Sequence, residues 1–144
     1  MGGDSQDSTL GELIGFSPDR CEEMLRAALE CYAESDFAQA ETILAGLIAL
    51  SDRDPRPFKL LASTLAVQGR HVAAERLYER AYDIEPDDPY TLVALGEIKL
   101  KALNLDEAIP LFERLFALDP DGTLPPANRG RELVKEAYAR LKGG

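Results

Sequence analysis

The stretch that decides the fold is FAQAETILAGLIAL, residues 37–50, because two further stretches repeat its pattern. These are HVAAERLYERAYDI at 71–84 and LDEAIPLFERLFAL at 105–118, and the three stretches start at equal intervals along the chain. Small or apolar residues recur at three places: Ala40, Ala74 and Ala108, then Leu44, Tyr78 and Phe112, then Leu47, Ala81 and Leu115. Residues with this spacing lie on one face of an α-helix. The sequence therefore predicts the same amphipathic helix three times.

A second helix precedes each of these segments. In the middle unit the helical spacing is carried by Phe58, Leu61, Ala62 and Leu65, and Gln68-Gly69 marks the turn that follows. Acid–proline pairs at Asp54-Pro55, Glu85-Pro86 and Asp119-Pro120 separate the units. The repeats are thus predicted at 21–54, 55–88 and 89–122. One helix pair cannot bury its apolar face alone, so we predict an all-α solenoid of three stacked helix-turn-helix repeats.

The two ends are predicted to be helical as well. Residues 1–20 form an N-terminal segment, with a polar, disordered start and a short helix near Thr9–Phe16. Residues 123–144 comprise a linker and a helix from Asn128 to Leu141, whose apolar face caps the third repeat.

The composition excludes several classes of function. A net charge of -10 argues against nucleic acid and against anionic membrane surfaces as partners. The longest apolar run, Ile43–Leu50, is too short to span a bilayer, and the start lacks a signal peptide pattern. These features predict a cytoplasmic protein with no membrane contact.

The residue pattern also argues against an enzyme. The chain contains one histidine, His71, at a place where the other units have Phe37 and Leu105, so we predict a packing role for it. Two cysteines and one histidine do not make a zinc site of the usual kind, and no glycine-rich phosphate loop is present. We therefore predict no catalytic residue, no metal and no cofactor.

The 34-residue period, with its small-residue and aromatic positions, resembles the tetratricopeptide repeat (TPR). This resemblance implies that the first helices line a concave groove that binds a protein or peptide client. Carried onto this sequence, it predicts a peptide-binding groove of twelve residues: Leu25, Leu29, Tyr32, Arg56, Lys59, Ser63, Ala66, Tyr90, Val93, Glu97, Leu100 and Lys101. An alternative for the first repeat is that the segment around Leu13 and Phe16 folds over Leu25 and Leu29 and hides them.

Residues 9–58 resemble a narrower family, the class II chaperones of type III secretion systems. The similarity includes Ser17-Pro18-Asp19, Tyr32, and Asp54-Pro-Arg-Pro-Phe58, whereas Lys59-Leu-Leu-Ala-Ser departs from the family's usual glycine-containing run. The resemblance implies a chaperone in the bacterial cytoplasm that holds an extended segment of a secreted translocator. It also implies a homodimer through the N-terminal segment. The alternative is a TPR scaffold or adaptor subunit of a bacterial assembly, such as a pilus or secretion platform.

Overall fold

The computed structural model describes residues 8–143, and every regular element within them is a helix. In chain order these are α1 (Leu10–Leu13), α2 (Pro18–Ala33), α3 (Phe37–Leu50), α4 (Pro55–Val67), α5 (His71–Ile84), α6 (Pro89–Lys101), α7 (Leu105–Ala117) and α8 (Pro125–Gly143). The predicted all-α fold class is confirmed. Helix α8 starts before the predicted Asn128, at Pro125. The start of the chain, residues 1–8, was predicted to be disordered; of these, residues 1–7 lie outside the described residues. Within the described residues, no helix is long and apolar enough to cross a membrane.

The starts of α2, α4 and α6 share one local design. Each begins with a proline, whose missing N–H is not needed in the first turn. The residue before it, Ser17, Asp54 or Asp88, accepts a hydrogen bond from a backbone N–H of that turn. These caps explain the helix starts at Pro18, Pro55 and Pro89, whereas Glu85-Pro86 and Asp119-Pro120 follow the ends of α5 and α7.

The chain divides into two compact units, one that ends at Leu77 and one that begins at Tyr78. The boundary lies inside α5, so the predicted repeat limits at 54 and 88 stay a prediction. In the first unit α2 packs on α3, and α3 packs on α4. Ala28 and Ala40 are fully buried, and Leu25, Leu44 and Leu47 complete a core cluster between α2 and α3. Small side chains let these two helices approach closely.

The short helix α1 packs against the end of α3. A capping box holds it, in which the Thr9 hydroxyl accepts from the Glu12 N–H at 3.2 Å. Gly11 is buried, and a Cβ there would lie 3.2 Å from the Leu50 carbonyl oxygen. Leu13 on the opposite side is 72% exposed. Helix α1 therefore lies on α3, whereas Leu29 on α2 stays 50% exposed.

The second unit is built from α6, α7 and α8. Gly96 of α6 faces the Phe112 ring, where a Cβ would lie 3.0 Å from Cζ. Gly130 of α8 follows one repeat length later and faces Leu115, where a Cβ would lie 2.7 Å from Cδ2. Helix α8 thus continues the small-residue position of the first helices. Its Arg131 anchors it by donating to the buried Asp119 carboxylate at 2.9 Å.

One packing prediction is wrong. His71 is exposed at the start of α5, although Phe37 at the same place of the first repeat is half-buried. The first residue of a helix lies at the edge of the packed face, where a polar side chain can remain in water.

Candidate peptide-binding surface

The first unit brings two predicted groove helices together at Arg56. Its guanidinium on α4 reaches Glu22 on α2 in a two-pronged contact, with Nη1–Oε2 at 3.1 Å and Nη2–Oε1 at 2.6 Å. The same guanidinium donates from Nε to the Asp54 carboxylate at 3.0 Å. Glu22 and Arg56 are separated by one repeat length, so equivalent positions of successive repeats touch here.

Arg56, Glu22 and Asp54 form a charged trio, in which the guanidinium pairs with both carboxylates. The hydrogen bond from Arg56, and then its positive charge, lowers the pKa of Glu22. Burial raises the pKa of Asp54, but the hydrogen bonds and charge of Arg56 outweigh it and leave that pKa lowered. Hydrogen bonds to both carboxylates raise the pKa of Arg56 further, so it stays charged. Arg56 therefore links α2 to α4, and the trio carries one net negative charge.

The apolar residues predicted on α2 have different environments. Leu29 is 50% exposed and presents an apolar surface to solvent. Leu25 is only 8% exposed and belongs to the core cluster with Leu44, which corrects its predicted place on an open groove. Tyr32 is half-buried and makes an edge contact with the Phe37 ring, with centroids 5.8 Å apart. Leu29 is thus the most accessible apolar side chain among these three.

The residues predicted on α4 beyond Arg56 are Lys59, Ser63 and Ala66, and all three are half-buried. Lys59 and Ser63 both have interaction partners. The side chains of these three residues are therefore less exposed to solvent than that of Leu29.

In the second unit the predicted residues lie on α6, which α8 accompanies. Tyr90 is 62% exposed, whereas Val93 is half-buried. Glu97 pairs with Lys101 at 2.9 Å and with Arg129 of α8 at 3.2 Å. The pair with Arg129 connects α8 to this part of α6, whereas the pair with Lys101 lies within α6.

An opening of about 400 Å³ lies between α6 and α8. Leu100 and Lys101 line it from α6, and Leu133, Ala137 and Arg140 line it from α8. The sequence prediction placed no α8 residue in the groove. The signal that could have found them is Gly130, which stands one repeat length after Gly96 and extends the register of the first helices into α8.

The sequence pattern of the tetratricopeptide repeat matches residues 65–141, more than half of the chain. The chain belongs to the tetratricopeptide repeat family. The match includes most of α8. This agrees with the position of Gly130, which stands one repeat length after Gly96 in this TPR chain. No curated protein sequence matches it.

Solved structures share the TPR fold over most of the chain. The type III secretion translocator chaperone SycD of Yersinia enterocolitica is 20% identical, with a TM-score of 0.78, over 90% of this chain and 98% of SycD. A type III secretion complex from Aeromonas hydrophila is 19% identical, with a TM-score of 0.83, over 98% and 95% of the two chains. PcrH of Pseudomonas aeruginosa, in complex with the chaperone-binding region of PopD, is 23% identical, with a TM-score of 0.75, over 88% and 97%. At these identities the likeness establishes the fold.

Proposed function

We propose that this TPR protein is a bacterial cytoplasmic chaperone that holds an extended, partly apolar segment of a secreted translocator-type client. The observation that carries the proposal is the pair of outward-facing apolar residues on first helices, Leu29 at 50% and Tyr90 at 62% exposure. First helices are the elements that line the peptide groove in this family. Exposed apolar side chains on such a face favour a peptide ligand over solvent.

The type of client is inferred from the structural neighbours. SycD is described as a translocator chaperone, and PcrH is bound to a chaperone-binding region. The similarity extends over nearly the whole length of both proteins, so their arrangement of helices supports the same use of the fold here. The residues of the predicted groove remain part of the proposal.

The mechanism needs no chemistry on the client. Within each unit the helices pack through small residues, Ala28 and Ala40 in the first and Gly96 in the second, so each unit loses little conformational freedom on binding. In each unit the extended client places apolar side chains against an exposed apolar position, Leu29 in the first unit and Tyr90 in the second. Covering the client's apolar segments keeps them from aggregating and from entering a membrane early.

The test uses a photo-crosslinking amino acid placed at position 29 or 90 of the full chain in its host. Val72 on α5 is the matched control, because it is also apolar and 72% exposed but lies on a second helix. We expect positions 29 and 90 to crosslink to one apolar, export-bound protein and position 72 to give none. Equal crosslinking from position 72 would contradict the groove assignment.

Affinity for the captured client provides the second readout. Tyr90→Ala and Leu29→Asp are expected to weaken binding at least about tenfold, whereas Val72→Asp leaves it unchanged. Leu100 is a poorer probe because its half-buried side chain also lines the space beside α8. Unaltered affinity in both groove variants would refute the proposal.

The second candidate is a scaffold or adaptor subunit of a bacterial assembly. The ion pairs of Glu97 with Lys101 and Arg129 favour it, because they place a polar patch beside the apolar positions on α6. A folded machine component crosslinked to position 90, with no export-bound protein, would support this second candidate instead.

A further inference from the structure

Leu103 has a backbone conformation that favours glycine. It lies in the turn between α6 and α7 with a φ of 60°, and its side chain is 78% exposed. The first two repeats have Ser35 and Gly69 at the equivalent place, with φ values of 62° and 80°. A bulky side chain is strained in this left-handed region. The leucine is therefore unfavourable twice, because its backbone is strained and because its apolar side chain lies in water.

The hydrogen bonds of the turn hold Leu103 in this conformation. The Leu103 N–H donates to the Leu100 carbonyl at 3.0 Å, and the next N–H, of Asn104, donates to the Lys99 carbonyl at 2.9 Å. The same two bonds form at Gly69 in the second repeat, and glycine is the usual residue at this kind of helix end. The turn thus explains the backbone but not the leucine side chain. Strained residues cluster where a protein uses the side chain.

Leu103 lines the space between α6 and α8, which we call the α6/α8 opening. Three residues of the predicted peptide groove, Glu97, Leu100 and Lys101, line the same space, so the opening continues that groove. Its volume of about 400 Å³ lies within the range of pockets that take up a ligand, about 300–1,000 Å³. Leu141 on α8 is 73% exposed. The apolar lining consists of Leu100, Leu103, Leu105, Leu133, Ala137 and Leu141.

The charged residues that line the α6/α8 opening leave one positive charge in excess. Two of them are acidic, Glu97 and Glu136, and three are basic, Lys101, Arg129 and Arg140, which gives a net charge of +1. Glu97 alone pairs with both Lys101 and Arg129, so two cations share one carboxylate. The whole chain carries -10, and the charged trio of the first unit carries one net negative charge. A second carboxylate, supplied by a ligand, would complement this local positive charge.

We propose that the α6/α8 opening binds one large apolar residue of the client together with an adjacent aspartate or glutamate, and that Leu103 contacts the apolar side chain. The inference rests on the proposed peptide-binding function and adds the kind of client sequence that the second unit selects. The apolar residue covers Leu103 and thereby removes its side chain from water. The adjacent carboxylate pairs with Lys101 and Arg129, which share Glu97 in the free protein.

The first test separates stability from binding in the full chain. Leu103→Gly relieves the strained backbone, so its urea midpoint should rise, yet the Kd for synthetic peptides of the protein captured from position 90 should increase at least about tenfold. Ser35→Gly is the matched control, because it makes the same change in the first repeat; it should raise the midpoint and leave the Kd unchanged.

The outcomes distinguish this inference from the proposed function. If a client is captured but Leu103→Gly binds its peptides like the wild type, the inference is wrong and the chaperone function stands. A loss of both stability and affinity in Leu103→Gly would show that the leucine supports the fold, which also overturns the inference. If positions 29 and 90 capture no client, both proposals fail.

A charge exchange tests for the carboxylate. Lys101→Glu turns the net charge of the lining from +1 to −1 and should raise the Kd of the peptide at least about tenfold. Lys135→Glu is the matched control, because Lys135 is exposed on α8 but does not line the opening. Replacing the acidic residue of the peptide by lysine should weaken binding to the wild type and restore binding to Lys101→Glu. Equal losses in the two variants, or a bound peptide without an acidic residue beside its apolar one, would refute the inference.

Discussion

A single added methyl group at Gly130 tests how tightly α8 is seated. In the Gly130→Ala variant the new Cβ would lie 2.7 Å from Leu115 Cδ2 and 3.2 Å from Phe116 Cε1. Carbon atoms in good contact are about 3.5–4.0 Å apart, so something must move. Leu115 is fully buried and cannot swing into solvent. The helix α8 must therefore shift away from α7, or the core of the second unit must rearrange.

The magnitude comes from two opposing effects. Replacing glycine by alanine inside a helix stabilises it by about 1 kcal/mol. Overpacking a closed core costs about 1–3 kcal/mol, and the 2.7 Å approach points to the upper end. We therefore expect Gly130→Ala to lower the free energy of unfolding by about 2 kcal/mol.

The same substitution at Gly46 is the matched control. Gly46 lies inside α3, and a Cβ there would meet only the Met24 Cε, at 4.0 Å. Because this Cβ meets no close atom, the higher helix propensity of alanine determines the outcome. Gly46→Ala should therefore raise the free energy of unfolding by about 0.5–1 kcal/mol.

Urea unfolding followed by circular dichroism measures both variants. With a slope of about 2 kcal/mol per molar urea, the Gly130→Ala midpoint should fall by about 1 M, and the slope should stay unchanged. The Gly46→Ala midpoint should rise. If Gly130→Ala matches or exceeds the wild type while Gly46→Ala rises, α8 does not pack on Leu115 as described.

Three further predictions concern the Asp119–Arg131 ion pair, the N-terminal cap and the core. Burial alone would raise the pKa of Asp119, but hydrogen bonds from Arg131 and from the loop before α8 lower that pKa to about 2. Asp119→Asn should therefore be less stable than the wild type at pH 7, and the gap in urea midpoint should shrink as the pH falls from 4 to 2; a gap independent of pH would contradict this. Thr9→Ala removes the capping box, so the amides of α1 should exchange hydrogen faster while the urea midpoint stays the same, and unchanged exchange would show that α3 alone holds α1. Leu44→Ala in the fully buried core should cost about 2–5 kcal/mol, whereas Leu13→Ala at 72% exposure should stay within about 0.5 kcal/mol, and similar losses in both would refute the burial pattern.

The sequence alone predicted the helices well because their signals are local. Ser17, Asp54 and Asp88 cap helix starts through bonds to residues two or three positions away, and prolines follow each of them. The alanines at 40, 74 and 108 identified one face of each second helix, and all three are buried. Helix α8 starts three residues before the predicted Asn128, because Pro125 fits the first turn of a helix.

The candidate site was harder to predict, because exposure depends on which neighbour covers a residue. Leu25 and Leu29 lie one turn apart on α2, yet Leu25 enters the core and Leu29 remains half exposed. Their positions in the repeat could not predict this difference in exposure, since both residues fit the same helical spacing. For the same reason the sequence did not predict that α8 lies beside α6. Its Arg129 pairs with Glu97, which is distant along the chain.

The 34-residue spacing, the caps and the lack of a catalytic residue pattern were therefore determined by the sequence itself, since each depends on residue type and on neighbours along the chain. The tertiary structure decided where α1 lies, how Arg56 joins Glu22 to Asp54, and that α8 packs on α6 with an opening between the two helices. These features depend on the relative placement of whole helices. That placement comes from the fit of side chains such as Gly96 against Phe112 and Gly130 against Leu115, which a one-dimensional pattern does not contain.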